Sequence, residues 1–583
     1  MMHEARSNGT DPIRLAVIAN GVLAIAESMG EALVRSAFSP NIKERRDCST
    51  AVFDADGRLM AQAEHIPLHL GSMLGVVEAV LRIHPRSTLA PGDAFVANDP
   101  YLGGGTHLPD VTVVSPFFFE GKLRGFAANV AHHADIGARA PGGISGDAGD
   151  IDEEGLRLPP TRLATAEGTC REVVDLFMSR CRMPEQRRLD LAGQLAANRV
   201  GISKLGELFG RHGSAVVVGV WEDLLAATER RVRKAVREIP DGVYEAEDET
   251  EGVGEEGLIP VRVALGIEGE HLRLDFAGSG PPSIGAINVP LGALLATVYY
   301  AVKACVDPGI PSNAGFHRSV EVRVPENSIV NAKPPSAVGA RTDTCQHVAG
   351  CICEAFAKAR PGRLPAHSND ASTAVVFSGV SPREGREYVY VEAIAGGAGG
   401  GPEEDGLDGV QVHVTNTSNL PVECLEHAYP LLVERYEFVP DSGGPGRLRG
   451  GLGLRREVRV LEREAIFSAH GDRHVKPAPG TAGGGAGGCG SYVIDPGGEG
   501  ERRLSPKVSG VRLAPGSLVR IETPGGGGYG PPEQRERCRV LQDVEAGVVS
   551  RRQAREAYGV ETSGGDGVRE AGRDERDEGQ DER

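Results

Sequence analysis

The sequence predicts an α+β protein of multi-layer mixed sheets and helices, with a helical arm and a glycine-rich β region towards the C-terminus. Three observations predict this class. Apolar residues recur at helical spacing near the N-terminus and again between residues 173 and 238. Segments that alternate apolar and polar residues, as strands do, fill residues 242–277. Glycine punctuates residues 442–529, which is typical of short strands joined by tight turns.

Length and charge narrow the function classes. The chain has 583 residues, enough for about two to four domains with sizeable cores. Its formal net charge of -18 argues against nucleic acid or an anionic membrane as a partner. The sequence contains no apolar run of roughly 18 residues, and its N-terminus lacks the basic and apolar pattern of a secretion signal. We therefore expect a cytoplasmic protein without a membrane partner.

The ten cysteines are scattered along the chain. In a large cytoplasmic protein they are expected to be reduced thiols. Cys345, Cys351 and Cys353 lie close together, but one CxC pattern without a second paired motif is a weak signal for a metal. The cysteines are therefore predicted to be structural.

The first predicted element is an amphipathic helix over residues 12–37. Asp11 offers a capping carboxylate, and Pro12 suits the first helical position. Apolar residues then follow at intervals of three or four, namely Ile18, Val22, Ile25, Met29 and Leu33. A strand over residues 49–53 comes next, and Asp56-Gly57 is its hairpin turn.

Asp47 stands directly before this strand. A carboxylate that enters a buried strand is costly unless it is paired or bound to a cation. Arg45 and Arg46 are neighbours that would pair with it, and a metal ion is the alternative. Both interpretations remain open from the residues alone.

The segment 98–139 carries the strongest functional pattern. His107 and Asp110 lie three residues apart in a turn rich in glycine, which can adopt positive φ without a Cβ clash. The apolar run 111–119 predicts a buried strand, in which Pro116 indicates an edge position or a bulge. A turn over residues 120–122 then leads into a returning strand over 123–130.

This return brings His132-His133 back beside His107 and Asp110 if the two strands have similar lengths. Imidazole with carboxylate suits Zn, Mn or Fe and does not distinguish among them. The alternative is that the HxxD pattern is a turn hydrogen bond and the histidine pair is ordinary packing. Two strands that converge on one end of a sheet favour the metal site.

Two other stretches have two interpretations each. His65 and His69 either line the same cleft or pack as loop histidines, since leucine and proline flank them. Residues 142–155 are rich in glycine and acid, and form either a mobile loop near the site or a solvated acidic loop.

Changes in composition divide the chain into regions. We expect an N-terminal α/β region with the metal-site hairpin (1–170), a helical arm of the kind that serves oligomer contacts (171–240), a central α+β region (241–440), the glycine-rich β region (441–532), C-terminal helices (533–560) and a disordered tail (561–583). The glycine-rich stretches, of which 396–401 is expected to be a flexible loop, lack the Lys-Ser/Thr of a phosphate-binding loop. No nucleotide site is therefore expected.

Several long segments then point to a known family. In order they are NIKERRDCSTAVFDADGRLMAQAEHIPLHLGSM, NDPYLGGGTHLPD, HHADIG, INVPLGALLATVYYAV, DGLDGVQVHVTNTSNLPVE, YPLLVERYEFVPDSGGPGRLRGG and IETPGGGGYG. They resemble the hydantoinase B/5-oxoprolinase family over about residues 10–532, which is far more specific than any three-residue pattern. More distantly, they resemble the α subunit of acetone carboxylase.

The resemblance implies the B-type subunit of an enzyme that opens cyclic amides with ATP hydrolysis. A hydantoinase A-like subunit would bind ATP and Mg and phosphorylate the amide, and this chain would complete the reaction with a divalent metal (Zn, Mn or Fe) and water. The expected assembly is an α2β2 hetero-oligomer. The substrate class is a small cyclic amide, and no residue distinguishes a hydantoin from another lactam.

The resemblance also implies the site residues. It carries the metal positions over to His107, Asp110 and His132, with Asp47 as a further ligand or catalytic carboxylate. Asp47 would orient water or accept its proton, and His133 would assist catalysis by fixing the orientation of a ligand. Three other functions stay open: a subunit of an acetone-carboxylase-like ATP-dependent carboxylase, a metal hydrolase that acts alone, and a non-catalytic structural subunit.

Overall fold

A computed structural model of the chain describes residues 11–63, 66–69, 73–383 and 385–562. Four sheets and the helices packed on them form the described part, which confirms the predicted α+β class of mixed sheets and helices. His65 and almost all of the predicted tail, from residue 563, lie outside the described residues.

The first sheet holds the predicted hairpin. Its strands are β1 (Cys48–Asp54), β2 (Leu59–Ala63), β3 (Ala94–Ala97), β4 (Asp110–Phe119), β5 (Lys122–His132), β6 (Thr161–Thr165) and β7 (Gly168–Thr169). They lie in the order β2-β1-β5-β4-β3-β6-β7, so β5 and β4 are central. Neighbouring strands are antiparallel throughout this sheet.

Helix α1 (Pro12–Ser36) packs on this sheet, and the short helices α2 (Pro40–Lys43) and α3 (Val76–Ile83) follow it. The side chain of Asp11 accepts the N–H of Ile13, as the capping pattern predicts. The five apolar residues predicted for the inner face of α1 are all buried. Among the described helices, α1 alone could cross a membrane by length and composition. In this fold the apolar face of α1 packs against β1 and β2.

The turn between β4 and β5 fixes their register. Glu120 and Gly121 both adopt positive φ (51° and 71°), which matches the right-handed twist of a tight hairpin. Asp110 therefore pairs with His132. The pairing of β3 with β4 reaches only Val114, so one edge of β4 is unpaired at Pro116. A proline is tolerated there because no hydrogen bond to a neighbouring strand is lost on that edge. The predicted bulge lies just beyond it, between Phe117 and Phe118.

The region predicted as a helical arm is helical and packs on the first sheet and on α1. It comprises α4 (Arg171–Arg180), α5 (Pro184–His212) and α6 (Ser214–Val236). Helix α5 packs against α1 on one side and against β4 and β5 on the other. Phe209 lies edge-on to both Phe117 and Trp221, with ring centroids 5.1 and 5.5 Å away. Much of the apolar face is thus buried within the chain, while Leu176, Leu189 and Val218 are exposed, and the role in oligomer contacts stays a prediction.

The second sheet carries the largest core. Its strands β8 (Gly242–Glu251), β9 (Leu258–Glu268), β10 (His271–Asp275) and β11 (Val320–Arg323) lie in the order β11-β10-β9-β8. The helices of this region are α7 (Leu291–Val306), α8 (Ala314–His317) and α9 (Arg341–Ala359). Helix α9 packs on β8, β9 and α7, so its middle is buried while its first residue reaches the first sheet.

The remaining sheets form the C-terminal part of the fold. The third sheet contains β12 (Thr373–Val380), β13 (Glu387–Ile394), β16 (Ala465–His470) and β19 (Lys507–Leu513). The fourth sheet contains β14 (Leu431–Phe438), β15 (Leu454–Val460), β17 (Ser491–Ile494), β18 (Arg502–Arg503) and β20 (Leu518–Glu522). Helices α10 (Val422–Ala428), α11 (Arg537–Glu545) and α12 (Arg551–Glu556) complete the described elements.

The glycine-rich stretches have a packing role. Gly451 donates its N–H to the carbonyl of Ala398, and Gly526 donates to Gly451, at 2.7 and 3.0 Å. A Cβ at Gly397 would lie only 1.9 Å from the carbonyl oxygen of Gly451. Only glycine allows the backbones to approach so closely. The stretch 396–401, expected to be a flexible loop, is therefore a buried part of this backbone-to-backbone contact.

Candidate metal centre

The candidate site lies at one end of the first sheet. Asp47 directly precedes β1, Asp110 begins β4, and His132 ends β5. Strand β5 pairs with both β1 and β4, so the three residues arrive at the same end of neighbouring strands. His107 is held beside them by the turn before β4, where Gly105 passes so close to the Asp110 carbonyl that a Cβ would lie 2.6 Å from it.

Three of the predicted ligands form a compact donor group. His107, Asp110 and His132 each offer a ligand atom, and these atoms all lie within 4.8 Å of one another. The Nε2 atom of His107 is 3.2 Å from Oδ1 of Asp110, and the rings of His107 and His132 have centroids 5.0 Å apart. All three side chains are buried. Nδ1 of His132 lies 3.4 Å from the amide of Asn41 in α2, which orients that ring.

Asp47 and His69 face this group from the other side. Nε2 of His69 is 3.9 Å from Asp47 and 3.8 Å from Asp110. The cleft interpretation therefore holds for His69, which the sequence left open. Of the neighbouring arginines, Arg45 lines the same cavity and donates to Asn41, whereas Arg46 faces Glu31. The charge of Arg45 partly offsets the burial that raises the pKa of Asp47.

His133 is not brought to the cavity. Successive residues of an extended chain point to opposite faces, so His133 turns towards α5 while His132 turns towards the cavity. Its Nε2 lies 3.0 Å from the side-chain oxygen of Gln194, and its ring stands edge-on to Phe177. The catalytic role predicted for His133 stays a prediction, and this packing favours a structural role instead.

Arg341 is a site residue that the sequence did not reveal. It is the first residue of α9, and its guanidinium donates to Asp110 at 3.0 Å and to Thr106 at 2.8 Å. Thr106 in turn donates to the same Asp110 oxygen at 2.8 Å. No local motif marks Arg341, because its partner lies 231 residues away. The three contacts leave the other oxygen of Asp110 directed at His107.

The electrostatics of the site suit a cation. Burial and the charge of Arg341 lower the pKa of His107 to about 4, and burial lowers the pKa of His132 as well. Both imidazoles are therefore neutral and keep a lone pair. Burial alone would raise the pKa of Asp110, but His107 and Arg341 outweigh it and hold the carboxyl ionised. Burial raises the pKa of Asp47, partly offset by His69.

The space around these groups is a small cavity of about 80 Å³. Its far wall comes from the third sheet and from the loop at residues 414–417. The acid-rich segment 142–155 contributes Ile144 to the wall, and its Glu154 is buried and accepts the N–H groups of Val338 and Gly339. Neutral imidazoles and carboxylates that meet in one small cavity fit a divalent cation such as Zn, Mn or Fe.

Replacing Arg341 with methionine should weaken metal binding by about 10–100-fold, the usual effect of losing a group that orients a ligand. The substitution removes the donors to Asp110 while keeping an extended side chain. Titration of the metal against a competing chelator measures the change. The metal affinity of Arg341→Lys should lie between those of the wild type and Arg341→Met, since a lysine supplies the charge without the two-pronged geometry of a guanidinium. An unchanged dissociation constant in both variants would show that Arg341 does not position Asp110.

A second buried cluster of acids and histidines lies beside β8. Asp248, His367 and Asp370 also offer atoms close enough together for a cation. Arg473 already occupies their centre, since its guanidinium donates to Asp370 at 3.0 Å and also to Asp248. The protein thus supplies its own cation there, and we assign no metal to this group.

The second cluster should make stability depend on pH. His347 lies 2.8 Å from Asp248 and 3.3 Å from Asp472. Burial and Arg473 lower the pKa of His347, but the two carboxylates outweigh them and raise it to about 9. The folded state therefore binds a proton that the unfolded state releases above about pH 6.5.

We expect the free energy of unfolding to fall as the pH rises from about 6.5 through 9, by up to about 3 kcal/mol from His347. Urea unfolding of the wild type and of His347→Asn at several pH values measures this. The stability gap between the two proteins should be largest near pH 6.5 and shrink by pH 9.5. A gap that stays constant over this range would show that His347 is neutral in the folded state.

The fold and the site define a mixed-sheet α+β protein with a histidine–carboxylate cavity at one sheet end. The chain belongs to the hydantoinase B/oxoprolinase family, whose model matches residues 11–532. An uncharacterised protein of Methanocaldococcus jannaschii is 36% identical, over 94% of this chain and 96% of its own length. The caprolactamase subunit beta of Pseudomonas jessenii is 31% identical, over 97% and 98%. These findings confirm the family resemblance.

Other relatives are much longer. 5-oxoprolinase 1 of Arabidopsis thaliana is 32% identical over 90% of this chain, which corresponds to 42% of that protein. The chain therefore spans about two-fifths of its length.

Two solved structures share the fold. The crystal structure of ATP-dependent caprolactamase from Pseudomonas jessenii matches with a TM-score of 0.89 and 29% identity, covering 97% of this chain and 99% of that one. The nucleotide-free structure of acetone carboxylase matches with a TM-score of 0.87 over 94% and 80% of the two chains. At 19% identity, this second likeness shows the fold alone.

Proposed function

We propose that this chain is the B-type subunit of an ATP-dependent enzyme that opens cyclic amides. The observation that carries the proposal is the convergence of Asp47, His107, Asp110 and His132 on one buried cavity. Family membership supports the reaction class, since relatives of similar length include a caprolactamase subunit beta. An A-type subunit would bind ATP and Mg and phosphorylate the amide, and an α2β2 assembly is the expectation.

The residues of this chain divide the remaining work. A divalent cation held by His107, Asp110 and His132 would supply Lewis acidity when bound. Asp47 faces the same cavity and would orient the attacking water and take up its proton. Arg341 and Thr106 fix the rotamer of Asp110, which keeps its free oxygen aimed into the site. The small volume of the cavity, about 80 Å³, limits the number of water molecules that can compete at the reacting carbon.

The proposal is tested by reconstitution with an A-type partner. The complex should convert a hydantoin, 5-oxoproline or caprolactam to its ring-opened product only when ATP is present. ATP hydrolysis and product are measured together, with each subunit alone as a control.

Each of the three other functions predicts a different result in the same assay. Product that requires bicarbonate indicates a carboxylase, and activity of this chain alone without ATP indicates an independent hydrolase. Full activity of variants altered in the cavity indicates a structural subunit.

A further inference from the structure

Two cysteine thiols touch across a helix pair outside the metal centre. Cys305 lies in the last turn of α7, and Cys353 lies in the second half of α9. Their sulfur atoms are 3.8 Å apart, with the Cys305 thiol donating to Cys353. Because α7 and α9 pack directly on each other, this contact is part of the folded core and not a chance meeting of loops.

Cys353 is accessible from a cavity and Cys305 is not. Cys353 is half-buried and lines a space of about 530 Å³, together with Glu354, His367 and His413. Cys305 is only 8% exposed and lies behind it. A small reagent that enters this cavity therefore meets the sulfur of Cys353 first.

The charges around Cys353 favour its thiolate. Asp370 accepts hydrogen bonds from both His367 and His413, at 2.6 and 2.8 Å, and raises the pKa of each. The hydrogen bond from Cys305 and the nearby charge of His413 lower the pKa of Cys353 to about 7. The same contact raises the pKa of Cys305, so one sulfur is a nucleophile and the other keeps its proton.

We propose that Cys353 and Cys305 form a reversible, peroxide-driven disulfide that links α9 to α7. The Cys353 thiolate attacks one oxygen of hydrogen peroxide, the O–O bond breaks, and Cys353 becomes a sulfenic acid while hydroxide leaves and takes up a proton as water. The Cys305 sulfur then attacks the sulfenic sulfur, the S–O bond breaks, and the proton of Cys305 leaves with the oxygen as a second water.

Formation of the disulfide between Cys305 and Cys353 requires little movement. A disulfide has sulfurs about 2.05 Å apart, so the two atoms must approach each other by less than about 2 Å. Cys351 provides the contrast within the same helix. It is fully buried, its thiol donates to the carbonyl of Val261, and its pKa lies well above the usual value. The inference does not depend on the proposed enzymatic function.

The experiment uses the full chain with the exposed cysteines Cys424, Cys489 and Cys538 and the half-buried Cys170 changed to serine, which removes the accessible competing thiols. The protein is treated with about one equivalent of hydrogen peroxide, blocked with an alkylating agent, and digested with trypsin without reduction. The expected product is a cross-link between peptides 304–318 and 342–358, which fragmentation assigns to Cys305 and Cys353. Two thiols per chain should be lost, and dithiothreitol should restore both.

Single substitutions of Cys305 and of Cys353 test which sulfur is oxidised first. Cys305→Ala should leave Cys353 to oxidise to a sulfenic acid that a dimedone probe traps, because no resolving thiol is present. Cys353→Ser should leave Cys305 unreactive. The inference is overturned if the wild-type pair stays reduced, if Cys353 pairs with Cys351 within one peptide, or if Cys353 proceeds to sulfinic acid without a cross-link.

Discussion

Replacing His107 with alanine is expected to abolish metal binding and ring opening while preserving the fold. The imidazole is buried beside Asp110 and is neutral, so it is a ready ligand and contributes no charge to the core. Its loss leaves Asp110 with the donors of Thr106 and Arg341, so no carboxylate is left unpaired. The local structure should therefore survive, and the loss should be specific to the cation.

Elemental analysis of the purified wild type and variant measures the metal directly, without chelators in any buffer. Circular dichroism and thermal unfolding check the fold, and ring opening is assayed with ATP and the partner subunit. His271→Ala is the matched control, because this histidine is exposed on β10. A variant that keeps both its metal content and its activity would refute the ligand role of His107. A wild type without metal would return His107 and Asp110 to a turn-stabilising hydrogen bond.

The hairpin that carries the site could be predicted because local rules determine it. The glycine-containing turn, the apolar runs on both sides and the alternation of a strand leave few choices of register. Asp110 consequently pairs with His132. The same alternation would have separated His132 from His133, since adjacent strand residues face opposite sides. The strand pattern therefore lets only His132 face the cavity, and the ligand-orienting role of His133 stays a prediction.

The rest of the cavity could not be predicted, since it depends on contacts between distant segments. Arg341 reaches Asp110 only because α9 packs across the second sheet and points its first residue at the first. The far wall comes from strands that follow residue 370. The packing of the helical region could not be predicted for a related reason: an amphipathic pattern shows that a face is buried but not by what. In this fold α1 and the hairpin bury it.

Besides His107, Asp47 is the residue whose replacement should lower turnover most. Its carboxylate faces the cavity opposite the metal-ligand group, and Nε2 of His69 lies 3.9 Å from it. Burial raises its pKa, which makes it a better proton acceptor than an exposed aspartate. Asparagine has nearly the same shape but cannot take up the proton. We expect Asp47→Asn to lower the turnover number by about 100- to 10,000-fold.

The metal content separates the two roles left open for Asp47. If Asp47 is the proton acceptor, the variant should keep most of its metal, because His107, Asp110 and His132 remain, and its KM should change far less than its turnover number. If Asp47 is chiefly a ligand, metal and activity should be lost together, as in His107→Ala. Asp56→Asn is the control, since this exposed carboxylate lies at the far end of β1 and pairs with Arg86. Near-normal turnover in Asp47→Asn would exclude both roles and leave the carboxylate with only a packing function beside His69.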